Sequence, residues 1–257
     1  MKTKGIILAG GKGTRLYPLT KVISKQLLPI YDKPMIYYPL ATLISAGIKA
    51  ILIIVNPEDL TLFEKLLGDG KQWNINISYK VQEKPRGIAE AFIIGENFID
   101  GEQSCLILGD NLFYGDTEYL KYALENNDGA SIFAYKIDEP QRYGVVEFDG
   151  NNNVISIEEK PENPKSDYAI PGLYIFDKQV SKIAKKLKPS TRNELEITDL
   201  QKEYLKIKKL KARTMNGVSW FDTGTHDSLL DAAEFIRAIQ KRQGLDIACL
   251  DELSKKI

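Results

Sequence analysis

Short apolar runs alternate with amphipathic stretches through the first half of the chain. The runs KGIILAG, AILIIVN and SCLILGD are continuously apolar, which is the pattern of buried parallel strands. The stretches KPMIYYPLATLISAG, NPEDLTLFEKLLGDG and RGIAEAFIIGENF predict helices, the first ending with Gly47 as C-cap and the second beginning with Asn56 as N-cap. This alternation predicts right-handed crossovers and a doubly wound sheet, with ligands at the carboxyl ends of the strands.

The second half has a different pattern. The segment YGVVEFDGNNNVISIEEKP predicts a hairpin with a Gly-Asn turn, and YAIPGLYIFD and KLKARTM predict further strands. A helix is predicted for EITDLQKEYLKI, and a long amphipathic helix for residues 226–243. Because no linker, repeat or low-complexity segment interrupts the chain, we predict a single α/β domain over residues 1–257, with a mixed-sheet extension and a helical C-terminus.

Composition and charge narrow the classes of function. The 257 residues carry 35 Lys and Arg against 35 Asp and Glu, so no global field would attract nucleic acid or an anionic membrane. The apolar segment at the start is too short for a signal peptide, and Cys105 and Cys249 lie far apart, so we expect a reduced cytoplasmic protein. Since His226 is the single histidine, a catalytic metal would be held by carboxylates, which favours Mg²⁺.

The segment GIILAGGKGTRLYPLTKVISKQLLPI combines glycines with cations directly after the first predicted strand. It is not a Walker A loop, because Gly13 stands where Ser or Thr should follow the lysine. It is not a dinucleotide fingerprint either, because Leu16 replaces the third glycine and Asp32, the candidate acid, lies in a proline-broken loop. Small residues still let backbone N–H groups approach an anion, and Arg15 and Lys25 add charge, so a phosphate group is the predicted ligand.

The same stretch carries a family resemblance. LAGGKGTRLYPLTKVISKQLLPIYDKPMIYYPL resembles the signature of the sugar-phosphate nucleotidyltransferases, and specifically of the glucose-1-phosphate thymidylyltransferases. The resemblance continues in order through LGDNLFYG, YGVVEFD, SIEEKPENPKS, LEITDL, WFDTGTHDSLL and KRQGLDIACLDEL. It implies a Rossmann-like doubly wound mixed sheet of the nucleotide-diphospho-sugar transferase type with a β-rich sugar-binding extension. The implied parts are a nucleotide-binding half (about 1–135), a sugar-phosphate-binding half (about 136–225) and a C-terminal helix and tail (226–257).

The reaction implied by this resemblance joins dTTP to α-D-glucose 1-phosphate, with Mg²⁺, and releases dTDP-glucose and pyrophosphate. The sugar phosphate oxygen attacks the α-phosphorus in line, and a phosphate monoester has a second pKa of about 6, so no general base is needed. The protein must therefore supply positioning and positive charge. In the family the product feeds dTDP-rhamnose and related deoxysugar pathways of bacterial polysaccharides.

The resemblance also assigns catalytic residues. Asp110 ends the run SCLILGD, at a strand end where a ligand would lie, although an Asp there is as often a turn or N-cap residue. By resemblance, Asp110 and Asp222 hold one Mg²⁺. Arg15 would engage the triphosphate and the departing pyrophosphate, and Lys25 would bridge the triphosphate and the incoming phosphate. Lys160 would bind the sugar phosphate.

The remaining implied contacts fall into two sets. The nucleotide site is expected to comprise Leu8, Gly10, Gly11, Gly13, Thr14, Arg15, Lys25, Gln26, Gln82, Pro85, Gly87 and Asp110. Within it, Gln82 and the backbone of Gly87 and Ile88 would read the pyrimidine edge, since an amide can donate and accept. The sugar-phosphate site is expected to comprise Asn111, Tyr143, Gly144, Glu159, Lys160, Ile170, Tyr174, Arg192 and Trp220.

Two details of this assignment make structural predictions. Glu159 and Lys160 are adjacent and would point to opposite faces of a regular strand, so the strand should end or bulge there, before Pro161. His226 invites a catalytic role, but THDSLLDAAEF is typical of a helix start. We therefore predict a first-turn residue instead.

Departures from the family pattern leave alternatives open. Pro171 stands where Thr is usual, and Arg86 places a cation beside the expected base pocket, which could mark a uridylyltransferase using UTP with glucose- or N-acetylglucosamine 1-phosphate. Longer members continue past ACLDEL into helices of a regulatory pocket, so we expect a short form without that feedback. A non-catalytic nucleotide-sugar sensor and a nicotinamide oxidoreductase are further alternatives, the latter disfavoured by the broken fingerprint. The family is usually a homotetramer, and we expect a homo-oligomer here.

Overall fold

The computed structural model describes residues 2–255, which form two compact units. Unit 1 comprises residues 2–4, 86–106 and 118–218, and unit 2 comprises residues 5–85, 107–117 and 219–255. The prediction of one domain with parts at 1–135, 136–225 and 226–257 stays a prediction. Its end points, residues 1 and 257, lie outside the described residues.

Strands and helices alternate along the chain. The described strands are β1 (Thr3–Ala9), β2 (Pro29–Ile30), β3 (Lys33–Pro34), β4 (Ala50–Val55), β5 (Asn76–Val81), β6 (Gln103–Leu108), β7 (Asn111–Tyr114), β8 (Ala130–Lys136), β9 (Gly144–Phe148), β10 (Val154–Glu159), β11 (Tyr168–Ile170), β12 (Leu173–Phe176), β13 (Leu210–Thr214) and β14 (Ser219–Asp222). The described α-helices are α1 (Tyr37–Ser45), α2 (Leu60–Leu67), α3 (Ala91–Ile94), α4 (Glu96–Ile99), α5 (Glu118–Glu125), α6 (Val180–Ala184), α7 (Ile197–Lys206), α8 (His226–Gln243) and α9 (Leu250–Ser254).

The predicted buried strands of the first half are confirmed as β1, β4 and β6. In unit 2 the strand order is β1-β4-β5, and β4 pairs with β5 in parallel from Ala50 opposite Asn76 to Val55 opposite Val81. Strand β5 is not predicted from the sequence, because its residues are largely exposed or half-buried and form no continuous apolar run. Such a pattern fits a strand at the end of the sheet order, which has a neighbour on one side.

Unit 2 also contains a two-stranded antiparallel sheet of β7 and β14, with Asp222 opposite Asn111. The long helix α8 spans the predicted residues 226–243. The Thr225 side chain accepts from the backbone N–H of Ser228 and the Ser228 side chain from that of Thr225, which is a capping box. His226 is the first residue of α8, as predicted. An apolar cluster joins α8 to the strand segments, comprising Ile30, Met35, Tyr38, Leu112, Ala232 and Ile236.

Unit 1 carries the β-rich part of the fold. Its strand order is β10-β9-β11-β8-β12-β6. Strand β13 pairs with β8 in parallel. The pairs β9–β10, β9–β11, β8–β11 and β8–β12 are antiparallel. The predicted hairpin of β9 and β10 is confirmed, and the Asp149 carboxylate accepts the backbone N–H groups of Asn151 and Asn153 in its turn. The segment YAIPGLYIFD forms two strands, because Pro171 lacks the N–H that a continuous ladder would need.

Parallel and antiparallel pairs therefore occur in one mixed α/β fold, which confirms the predicted fold class. The predicted helix of RGIAEAFIIGENF is divided into α3 and α4 at Gly95. Both cysteines, the buried Cys105 and the half-buried Cys249, are free thiols. Across residues 2–255, the helices are too short or too polar to span a membrane.

Candidate active site

The glycine loop follows the end of β1 in unit 2. Gly13 has φ +59°, a left-handed conformation that glycine adopts without strain, and the Thr20 hydroxyl donates to its carbonyl oxygen at 2.7 Å. A short 3₁₀ turn, Thr14–Leu16, begins directly after it. Leu16 is fully buried and anchors this turn, while Arg15 beside it stays exposed. The loop thus presents the Arg15 guanidinium from a fixed backbone.

Two glutamines predicted for the nucleotide site are buried against glycines of unit 2. A Cβ atom added at Gly10 would lie 2.7 Å from Oε1 of Gln82, whose exposed fraction is 4%. A Cβ atom added at Gly109 would lie 2.9 Å from Cγ of Gln26, and the Gln26 Oε1 atom accepts a hydrogen bond from the Ser24 hydroxyl at 2.7 Å. Each glycine therefore leaves the space that its neighbouring glutamine fills.

Lys25 and Asp110 form an ion pair at the edge of the glycine loop. Their side chains are 12% and 13% exposed, and the Asn111 amide donates to the second carboxylate oxygen of Asp110 at 3.1 Å. Burial on its own would raise the pKa of Asp110, but the Lys25 ammonium and the hydrogen bonds outweigh it, so this pKa lies below its ordinary value. A Cβ atom added at Gly11 would lie 3.8 Å from the Lys25 Nζ atom, which places the ammonium beside the glycine loop.

The Asp222 segment is bound to the backbone of Asp110. Thr223, which is fully buried, donates to the Asp110 carbonyl oxygen from its backbone N–H at 3.1 Å and from its hydroxyl at 2.8 Å. Together with the β7–β14 register, these bonds place the two aspartates at the same end of that sheet. Mg²⁺ is commonly held by one or two carboxylates together with substrate phosphates. The Asp110 and Asp222 carboxylates fit that donor set.

Arg15 reaches the same segment. A Cβ atom added at Gly224 would lie 2.5 Å from Nη2 of Arg15 and 3.0 Å from Oδ1 of Asp222. The missing side chain of Gly224 therefore makes room for the guanidinium beside the Asp222 carboxylate. The described residues of unit 2 thus gather Arg15, Lys25, Asp110 and Asp222 around the glycine loop.

We expect Gly224→Ala to lower kcat/KM by roughly 10²-fold, because displacing a positioned group by about 1 Å can cost that much. The added methyl group must move Arg15, whose exposed guanidinium can yield without unfolding the protein. Steady-state kinetics and a thermal melt would separate the two effects. Gly150→Ala is the matched control, because a Cβ atom there meets nothing within 4 Å. Equal kcat/KM values for the two variants would contradict this role of Gly224.

In unit 1, strand register brings several predicted sugar-site residues together. Gly144 of β9 pairs with Ile170 of β11 on one side and with Glu159 of β10 on the other. A Cβ atom added at Gly144 would lie 3.1 Å from Cγ2 of Thr198 and 3.7 Å from Oε2 of Glu159. Tyr174 lies in β12 and is buried. Gly144 thus opens a small space between Glu159 and the first turn of α7.

The backbone changes direction at Lys160. Strand β10 ends at Glu159, and Lys160 has φ +43°, with its N–H donating to the Tyr143 carbonyl oxygen at 3.0 Å. The expectation that the strand ends at this pair is confirmed. The Lys160 ammonium lies 3.9 Å from the Glu159 carboxylate and the Arg192 guanidinium lies 3.3 Å from it. Burial raises the pKa of Glu159, with Glu196 adding to the rise and both cations opposing it.

The Gly87 segment is joined to the loop that carries Arg192, also within unit 1. The Leu195 N–H donates to the Arg86 carbonyl oxygen at 2.7 Å, and the Ala89 N–H donates to the Leu195 carbonyl oxygen at 3.1 Å. The guanidinium of Arg86 pairs with the buried carboxylate of Glu90. The cation expected beside a base pocket is therefore already matched by an acidic partner.

Some functional neighbours were not predicted from the sequence. Thr223 and Gly224 follow Asp222 in WFDTGT. Two small residues directly after an acidic one were the sequence feature that could have indicated their place in the site. Glu196, which binds Arg192, gave no signal beyond its place before α7. Asn111 and Trp220, both predicted for the sugar site, are buried in unit 2, where the indole N–H donates to the Asn111 side-chain oxygen at 2.7 Å.

The chain is similar to proteins of known family. The family model described as "Nucleotidyl transferase" matches residues 4–239. A glucose-1-phosphate thymidylyltransferase of Neisseria meningitidis serogroup A is 56% identical over 98% of this chain and 88% of its own length. A crystal structure assigned as a glucose-1-phosphate thymidylyltransferase of Bacillus anthracis, in complex with a sucrose, superposes with TM-score 0.86 at 42% identity, covering 91% of this chain and 95% of that one. A UDP-glucose pyrophosphorylase complexed with UDP-glucose has TM-score 0.83 at 26% identity, covering 94% and 100%.

Proposed function

Because the chain belongs to the nucleotidyl transferase family, we propose that it transfers a thymidylyl group from dTTP to α-D-glucose 1-phosphate, giving dTDP-glucose and pyrophosphate. The observation that carries this proposal is the 56% identity, over 98% of the chain, to a thymidylyltransferase. The reaction forms a bond between a sugar phosphate oxygen and the α-phosphorus of the nucleotide. The bond from that phosphorus to the pyrophosphate oxygen breaks.

The cations of unit 2 support the proposed binding of a triphosphate. Arg15 offers a planar fork of donors to phosphate oxygens, and Lys25 offers a compact charge beside the backbone of Gly11. In this proposal Lys25 leaves Asp110 for phosphate oxygens when the nucleotide binds. Gln82 is held against Gly10, where its amide can donate to and accept from a pyrimidine edge.

Asp110 and Asp222 are the proposed ligands of a Mg²⁺ ion. When bound, such an ion would offset the negative charge of the phosphate oxygens. The lowered pKa of Asp110 keeps this carboxylate charged, and Thr223 fixes its backbone. A sensor that only bound nucleotide sugar would not need this arrangement of two carboxylates with Lys25.

Residues of unit 1 are proposed to bind the sugar phosphate. Lys160 and Arg192 provide positive charge, and Glu159 accepts hydrogen bonds from sugar hydroxyls beside Gly144. The sugar phosphate is largely dianionic at neutral pH because its second pKa is about 6, so the attacking oxygen needs no general base. The chain therefore acts by positioning the two substrates and by offsetting their charges.

The assay that tests the proposal measures pyrophosphate release with glucose 1-phosphate and Mg²⁺, in parallel with dTTP, UTP, CTP, ATP and GTP. We expect the largest kcat/KM with dTTP. Release led by UTP would instead assign a uridylyltransferase, which the lower identity to the UDP-glucose enzyme and the Arg86–Glu90 pair do not favour. No release with any nucleotide, when other sugar 1-phosphates are also supplied, would overturn the proposal.

Removal of divalent metal should abolish pyrophosphate release, because two carboxylates without their ion would repel the triphosphate. The measurement is activity in excess EDTA, followed by titration of Mg²⁺ back to the full rate. The Tm in EDTA should be unchanged, since Lys25 and Asn111 satisfy Asp110 without a metal. Full activity in EDTA would contradict the assigned roles of Asp110 and Asp222.

Two further proposals concern assembly and location. A homotetramer is proposed from the family resemblance, and light scattering would test it, with a monomeric mass counting against it. A cytoplasmic location is proposed because Cys105 and Cys249 are free thiols, and cell fractionation would test it.

A further inference from the structure

A buried carboxylate at the start of α7 has no role in the reaction proposed above. Glu196 is 7% exposed and precedes the first residue of α7. Its Oε1 atom accepts from the Nε atom of Arg192 at 3.1 Å and its Oε2 atom accepts from Nη2 at 2.7 Å. The Ser190 hydroxyl donates to Oε1 at 2.6 Å. Glu196 therefore binds Arg192 through two parallel hydrogen bonds and is itself held by a third.

The loop between Ser190 and Glu196 is closed by its own hydrogen bonds. The Ser190 N–H donates to the Glu194 carbonyl oxygen at 2.8 Å, and the Asn193 N–H donates to the Ser190 carbonyl oxygen at 2.8 Å. The Arg192 N–H donates to the Ser190 hydroxyl at 3.2 Å. Both the backbone and the side chain of Arg192 are thus fixed from the same two residues, Ser190 and Glu196.

Glu196 does not strengthen the attraction of Arg192 for an anion. The Arg192 Nη2 atom lies 2.7 Å from Glu196, 3.3 Å from Glu159 and 3.7 Å from Glu194. Three carboxylates reduce the pull of the guanidinium on a phosphate. Side-on pairing through Nε and Nη2 does, however, set the plane of the guanidinium and leaves the Nη1 nitrogen outside the pair.

We propose that Glu196 is a positioning residue that orients Arg192 so that its Nη1 side meets the phosphate of the sugar 1-phosphate. This inference rests on the proposed function and assigns Glu196 a role in sugar-phosphate recognition but none in nucleotide binding. A buried ion pair adds little net stability compared with apolar packing, whereas a fixed guanidinium plane favours bidentate recognition of a phosphate. Glu196 acts only through Arg192.

The test compares Glu196→Gln with Glu194→Gln. A glutamine at position 196 can accept at one oxygen but presents an N–H₂ group to Arg192, so the side-on pair is lost. We expect the KM for glucose 1-phosphate to rise about tenfold, the loss of one charge-assisted hydrogen bond, with the KM for dTTP unchanged. Glu194→Gln makes the same chemical change in the same loop at a side chain that is 38% exposed, and both KM values should stay as in the wild type.

An Arg192→Ala background tests whether Glu196 acts through Arg192. In that background Glu196→Gln should cause no further rise in the KM for glucose 1-phosphate, and an additive rise would overturn the proposal. An equal rise in both KM values, or a fall in kcat alone, would also overturn it. If Glu196→Gln fails to fold, Glu196→Asp replaces it, since it keeps the buried charge but is too short for the side-on pair. A wild-type KM for the sugar phosphate in that variant would refute the orienting role.

Failure of this inference is distinguishable from failure of the proposed function. If the wild-type protein releases no pyrophosphate in the assay above, the proposed function itself is overturned. Active wild-type protein together with a Glu196→Gln variant of unchanged KM would remove the role of Glu196 alone.

Discussion

Asp110→Asn should lower kcat for pyrophosphate release by roughly 10²–10³-fold, the range seen when one preorganised electrostatic group is removed from an active site. The amide has the same size as the carboxylate, but it carries no charge for Mg²⁺ and no counter-charge for Lys25. The buried backbone contacts from Thr223 to residue 110 do not depend on the side chain, so the variant should fold. Initial rates at saturating dTTP and glucose 1-phosphate, with circular dichroism as the check on folding, would measure the effect.

Asp231→Asn is the matched control for this variant. Asp231 lies on the exposed face of α8 and belongs to neither proposed site, so Asp231→Asn removes the same charge away from both sites. Its kcat should equal that of the wild type. A fall of less than about tenfold in Asp110→Asn would mean that Asp110 does not hold the metal, because oxyanion-type groups contribute more than that.

Gly87→Ala should lower the free energy of unfolding by about 3 kcal/mol or more, the upper range for a strained backbone conformation. Gly87 has φ 100° and ψ 167°, a region that glycine almost alone adopts. A Cβ atom there would also lie 2.4 Å from the Leu195 carbonyl oxygen, which is backbone and cannot swing aside. In a chain of this size the loss corresponds to a fall of roughly 6–12 °C in Tm. Differential scanning calorimetry would measure it.

Gly101→Ala separates strain from collision. Gly101 also has positive φ, at +70°, but a Cβ atom there meets nothing within 4 Å. Its cost should be roughly 1–2 kcal/mol, the left-handed penalty alone. If both variants melt at the same temperature, the close approach of Gly87 to Leu195 contributes nothing to stability.

The apolar periodicity was sufficient for much of the fold. The apolar runs of β1, β4 and β6 are continuous and therefore easy to identify. Helix α8 begins at residue 226 and ends at residue 243, as predicted, because Thr225 caps its N-terminus and Gly244 its C-terminus. Strand β5 was not predicted, because this edge strand has no continuous apolar run. Gly95 divides one predicted helix into α3 and α4. Glycine is unfavourable inside a helix, but the apolar spacing of the segment does not show whether the helix continues through it.

The candidate site was predicted mainly through resemblance. Local patterns favoured a phosphate near Arg15 and Lys25, yet nothing local indicates that Lys25 pairs with Asp110 or that Arg15 lies against Gly224. Both contacts join residues far apart in sequence, and the second also depends on β14, whose pairing with β7 places Asp222 opposite Asn111. Periodicity reports which face of a strand is buried and carries no information on its partner. The residue roles themselves stay predictions until the variants are assayed.

The hydrogen bonds between Leu195 and the segment from Arg86 to Ala89 bear on redesign of this enzyme. A graft that replaces the Gly87 segment with one from a relative of different nucleotide preference also replaces half of the interface that supports the Arg192 loop. The transplanted piece would then meet a host backbone for which it was not selected. Exchanging residues 86–90 and 190–196 as one cassette keeps that interface intact. With the roles predicted for Gly87 and Arg192, this design would vary base preference and sugar preference together.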